Sequence, residues 1–242
     1  MEQDTIMTLD PVEESSQIDP GANSSSCGDV VSRDIPVSRL PKRSIIIPQP
    51  DAQPDLIFIS QDENHKLEDL DTYYYEEEAG SGITVYLIDT GANPSHPEYT
   101  GMPGEVSWIW PYPHTIWTQD MGYHLQSDPV GHGSCMLSKI AGVEYGVAKK
   151  PNIMVVKMLT AKEHGFSLAE ALKTLEIIMT DIVDRSLAGK SVICMGMGAK
   201  EADDRVHSIN ALLTLIQQLI EEDVVVVVPA GNDAVRCFSI FL

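Results

Sequence analysis

Short apolar runs alternate with amphipathic stretches of helical period along most of this chain, and that alternation leaves few folds open. Ile83-Thr84-Val85-Tyr86-Leu87-Ile88 predicts a buried strand, and residues 153–158 and 191–195 predict two more. Residues 224–228 are five consecutive valines, which predicts a central parallel strand buried on both faces. Between these runs, a helix is expected from His132 to about Ala141, closed by Gly142. A longer one is expected over 167–188, opened by the capping box Ser167-Leu168-Ala169-Glu170 and ended by Gly189. Its apolar stripe is Leu168, Leu172, Leu175, Ile178, Met179, Ile182 and Val183. A third helix over 203–222 places Val206, Ile209, Leu213, Ile216 and Ile220 on one face. Alternation of this kind predicts an α/β fold: a mostly parallel central sheet, helices on both sides and right-handed crossovers.

The first 55 residues are different in kind. They are rich in Ser, Pro, Asp and Glu without sustained periodicity, and are expected to form a disordered acidic N-terminal region. Within it Lys42-Arg43 reads as a solvated basic pair, with dibasic processing as the sharper alternative. Structure is expected to begin near Leu56, where Leu56-Ile57-Phe58-Ile59 is strand-like. Residues 1–80 carry 18 acidic against 5 basic residues, and the whole chain has a formal net charge of −20. A surface so acidic repels phosphate backbones and anionic lipid, so neither nucleic-acid binding nor membrane association is expected. No apolar run approaches the roughly 18 residues of a membrane-spanning helix, and the acidic start lacks the apolar core of a signal peptide. Cys27, Cys135, Cys194 and Cys237 form no CxxC pair, which argues against a zinc ribbon or a dense disulfide framework.

In an α/β sheet, functional residues collect beyond the carboxyl ends of the strands. Asp89 ends the first predicted strand, Asn232 follows the valine run within Pro229-Ala230-Gly231-Asn232, and His132 opens a helix within Gly131-His132-Gly133-Ser134. An Asp fixed at a strand end can accept Nδ1–H of a histidine and hold its tautomer. A histidine at a helix N-terminus feels the positive dipole end, which favours the neutral, proton-accepting ring. An Asn on a glycine-flanked turn can aim its amide at a developing oxyanion. Taken singly, each of these residues reads as a turn former, a cap or a surface group.

In that order on that pattern, they resemble the motifs of subtilisin-like serine peptidases. Residues 82–91 with His96-Pro97-Glu98 are similar to the family's catalytic-Asp motif, and Gly131-His132-Gly133-Ser134 to its catalytic-His motif, with Ser134 where Thr is usual. Lys139-Ile140-Ala141-Gly142, Tyr145-Gly146-Val147-Ala148 and residues 155–159 resemble the segments that come after that His in the proteinase-K-like branch. Residues 229–232 resemble the oxyanion-Asn motif. The resemblance implies a three-layer subtilisin-like fold over 56–242, incomplete at its C-terminus. It also implies that Asp89 orients His132, that His132 serves as general base and then acid, and that Asn232 binds the oxyanion. Gly196-Met197-Gly198 corresponds to the substrate-binding strand, usually Ser-Leu-Gly, so Gly196 and Met197 depart from the family. Polypeptides are the implied substrates, pairing with that strand through main-chain hydrogen bonds. The resemblance allows calcium as a stabilising ion, but no carboxylate cluster names a site. Family members are typically secreted or vacuolar, and nothing in this sequence decides between those destinations. Cys135, three residues after His132, is expected to be a buried structural thiol beside the site rather than a nucleophile.

The family's order is Asp, His, Ser, with the nucleophile in a Gly-Thr-Ser motif beyond the oxyanion Asn. No such motif is found here. Ser239, in Cys237-Phe238-Ser239-Ile240, has no preceding Gly and is not accepted as the nucleophile. Loss of the nucleophile from such a triad costs about 10⁶ in turnover, so this 242-residue chain is expected to be inactive by itself. The competing reading is a non-catalytic, subtilase-derived protein that binds a peptide or a partner. Asp89-Thr90-Gly91 as an aspartic-protease motif is rejected because the helix-rich pattern is wrong for an all-β enzyme, and a nucleotide-binding domain because no G-x-G-x-x-G or P-loop is present.

Overall fold

The structure, a computed structural model, describes residues 6–7, 45–61, 66, 70–111, 126–158, 166–196 and 206–229 of the chain. In chain order the elements are β1 (Ile6–Met7), β2 (Ile46–Pro50), α1 (Pro54–Ile59), β3 (Thr72–Glu76), β4 (Thr84–Asp89), α2 (Pro97–Thr100), β5 (Val106–Ile109) and α3 (His132–Ala141). They continue with β6 (Asn152–Lys157), β7 (Phe166–Ser167), α4 (Leu168–Asp184), β8 (Ser191–Met195), α5 (Val206–Glu221) and β9 (Val225–Val227).

Five strands form one parallel sheet in the order β5-β6-β4-β8-β9. β4 lies at its centre and every residue of it is buried. Because side chains alternate along a strand, the sheet has two distinct faces. Tyr86 and Ile88 of β4, Met154 and Val156 of β6, and Ile193 and Met195 of β8 pack in one core with α4 and α5. Val85 and Leu87, with Ile153 and Val155, pack in a second core with Leu137 and Ala141 of α3. The α/β expectation is met as three layers: α4 and α5, the sheet, then α3.

α3 has the bounds its sequence predicts. Gly131 at its N-cap has φ 88°, a left-handed conformation that glycine adopts without strain, and Gly142 closes the other end. Gly133, Leu137 and Ala141 are its buried residues, a four-residue spacing that aims one narrow stripe at the sheet.

Among the described strands β9 lies at the edge of the five-stranded sheet, with Val225 57% and Val227 47% exposed, so the valine run is not buried on both faces there. Three further expectations are corrected. Residues 56–59 belong to helix α1, which Pro54 opens with its fixed φ and Asp55 supports near the dipole's positive end. Order begins before Leu56, since β2 pairs antiparallel with β3 from Ile46↔Glu76 to Pro50↔Thr72. The inner face of α5 is Leu212, Leu215 and Leu219, while Ile220 is exposed, as is Val183 at the end of α4. α5 is apolar on more than one side, so its packing against α4, not its own periodicity, selects the buried face. Lys42-Arg43 and most of the remaining N-terminal region lie outside the described residues.

Candidate active site

β4 ends on Asp89, whose place in the alternation puts it on the α3 face of the sheet. α3 begins on His132. The strand end and the helix start therefore meet, and the two side chains bond: His132 Nδ1 lies 2.8 Å from Oδ1 and 3.0 Å from Oδ2 of Asp89. An ionised carboxylate only accepts, so Nδ1 carries the hydrogen and Nε2 is left as the basic nitrogen. Asp89 is fully buried, whereas the His132 side chain keeps 17% of its surface exposed. The carboxylate is thus fixed in the protein and the ring stands between it and solvent.

The same corner is braced by the backbone. Thr90 N–H donates to Asp89 Oδ1 at 2.7 Å, and Gly133 N–H donates to Thr90 Oγ1 at 2.9 Å. Asp128, which the sequence pattern does not single out, accepts from Gly131 N–H at 2.8 Å, Val130 N–H at 3.2 Å and Ser134 N–H at 2.7 Å. Burial pushes the Asp128 carboxyl up, but hydrogen bonds from Ser134, Thr90 and Gly131 outweigh it and hold the group below the usual carboxylate range. Its charge sits on the first turn of α3, where backbone amides lack partners. An Asp-Pro just ahead of Gly-His is a helix-start signal that could have revealed it.

Close approach is possible only because glycines occupy the seam. A Cβ on Gly133 would lie 2.2 Å from the Gly91 carbonyl oxygen. A Cβ on Gly196 would lie 2.1 Å from Asp89 Oδ2 and 3.3 Å from His132 Cε1. Gly196, one of the predicted substrate-strand residues, therefore backs directly onto the Asp–His pair, and the space its side chain would need is filled by the carboxylate. Met197, Gly198 and Asn232, the other predicted site residues, lie outside the described residues, as does Ser239.

Cys135 is exposed, which overturns the buried structural thiol expected of it; as the third residue after His132 it falls outside the Gly133-Leu137-Ala141 stripe. The thiol beside the carboxylate is Cys194 on β8. Burial, reinforced by the Asp89 charge, pushes it up to about 11, so it is a protonated neighbour at neutral pH. Among the described residues, no group of three or more His, Cys, Asp or Glu side chains is gathered to hold a metal ion, so the calcium allowed by the resemblance finds no cluster there. No described helix is long and apolar enough to cross a membrane.

The subtilase family description, Peptidase S8, matches residues 80–239, a stretch that contains both members of the pair. The chain belongs to the subtilase family. Among curated subtilases, it is 33% identical over 161 residues to subtilisin-like protease 3 of Trichophyton tonsurans, covering 66% of this chain and 36% of that protein. It is 32% identical over 170 residues to alkaline protease 1 of Emericella nidulans, covering 70% and 37%. A crystal structure of a cold-adapted subtilisin-like serine proteinase superposes with a TM-score of 0.57 at 27% identity, covering 78% of this chain and 59% of that one. The chain thus spans little more than a third of the length of these curated relatives. Its subtilisin-like fold follows from the sheet, the layers and this structural likeness together.

Proposed function

We propose that this chain carries the acid–base part of a serine endopeptidase acting on polypeptides by subtilase chemistry. Asp89 holds the ring, and His132 Nε2 takes the proton from a serine hydroxyl and returns it to the leaving amine. Asn232 donates to the oxyanion, and residues 196–198 receive the extended substrate. The observation that supports this most directly is the 2.8 Å bond between a fully buried Asp89 and Nδ1 of a partly exposed His132. Family membership and the protease names of the relatives point the same way.

The serine belongs, in the family's order, beyond Asn232. The deciding experiment reads the transcript through and past the codon for Leu242 and treats the encoded protein with a fluorophosphonate probe. The expected result is a frame that continues into a Gly-Thr-Ser motif and a product labelled on that serine, with labelling abolished by His132→Ala. A stop directly after Leu242, with no labelling of the chain, would overturn the endopeptidase reading and leave the peptide-binding alternative.

A further inference from the structure

We infer that Asp128 is a positioning residue for the Asp89–His132 pair and acts through the hydroxyl of Thr90. The destination of one proton decides this. Thr90 Oγ1 lies 2.8 Å from Asp128 Oδ1 and 3.3 Å from Asp89 Oδ1, and a hydroxyl has one hydrogen to give. The shorter, charge-assisted bond to Asp128 takes it. The Thr90 oxygen then presents its lone pairs to Gly133 N–H at 2.9 Å. Gly133 directly follows His132 and Thr90 directly follows Asp89. One hydrogen bond therefore ties the first turn of α3 to the end of β4 at the register in which the carboxylate meets Nδ1.

The seat of Asp128 is itself fixed from three elements. On α3, Ser134 N–H donates to its second oxygen, Oδ2, at 2.7 Å. On β6, Lys157 Nζ donates to the carbonyl of neighbouring Ser127 at 2.7 Å. On the β4 side, Gly91 has φ 122°, and a Cβ there would lie 2.2 Å from that same carbonyl oxygen. The segment 127–131 is thereby clamped over the end of the sheet. Hydrogen bonds from Ser134, Thr90 and Gly131 hold the Asp128 carboxyl below the usual carboxylate range, so it is an ionised acceptor at neutral pH. A further consequence concerns Asp89. Because Asp128 claims the Thr90 proton, Asp89 Oδ1 is served by Thr90 N–H and by the ring, and the hydroxyl does not compete with His132 for it.

This inference rests on the proposed acid–base role of the pair, but its test reads geometry and not turnover, so either can fail alone. The His132 Nδ1–H proton gives a downfield resonance when bonded to a carboxylate, assigned by its loss in His132→Gln. In the parent protein and in Thr90→Ser, which keeps the hydroxyl, that resonance is expected to persist. In Thr90→Val and in Asp128→Asn it is expected to exchange with solvent at least about tenfold faster, the worth of one hydrogen bond, or to vanish. Far-UV circular dichroism checks that each variant is folded. An unchanged resonance in folded Thr90→Val and Asp128→Asn would sink the proposal. So would a Thr90→Ser protein that behaves like Thr90→Val, a parent protein with no such resonance, or unfolding of both variants, which would make the network merely structural.

Discussion

β4 and β9 are both short apolar strands of the same parallel sheet, yet one is buried along its whole length and the other is half in solvent. Thr84–Asp89 has a bonded strand on each side and a packed helix layer on each face. Val225–Val227 has β8 on one side and, among the described strands, no neighbour on the other. The valines are no less apolar than Val85 or Leu87. Burial here follows a strand's place in the order of the sheet, not its composition. The contrast matters for chemistry, because the element that carries Asp89 is the one held from every direction.

The sharpest way to break this comparison is at the seam between β4 and α3. Gly133→Ala drives a Cβ into a backbone carbonyl that cannot swing aside, and is expected to cost about 4 kcal/mol or abolish cooperative unfolding. A urea midpoint equal to that of the parent would show that the two elements can separate freely. Next, Leu87→Ala empties a fully buried site at the sheet's centre and is expected to cost about 3 kcal/mol in the same titration. A loss below about 1 kcal/mol would mean that the core on the α3 side collapses to fill the space. Smallest is Val225→Lys at the edge, expected to change stability by no more than about 0.5 kcal/mol while raising solubility. A loss comparable with that of Leu87→Ala would place Val225 in a core and erase the distinction between centre and edge.

Much of the corner around Asp89 was legible because it is written in local signals. Gly131 and Gly142 bracket α3, and a compact apolar run ending in Asp specifies β4 together with the residue at its tip. That Asp89 and His132 belong to one site followed from motif order, and their contact follows from the meeting of strand end and helix start. Strand order was not legible, because it depends on which distant segments pair. α1 was misread because four apolar residues fit helix and strand alike, and Pro54 and Asp55 were the neglected start signals. Asp128 was missed for another reason. Its Asp-Pro start signal is short, and its partners are mostly backbone amides, which every residue carries.

The sheet's order has a consequence for how the chain is made. β4 ends at Asp89, while its two partners begin at Asn152 and Ser191, and the latter lies about a hundred residues downstream. At roughly 5–20 residues per second of synthesis, β8 is made roughly 5–20 s after β4. During that wait the strand that carries Asp89 has at least one flank still unpaired. The strand that ends up buried along its whole length is therefore open to nascent-chain chaperones for that time.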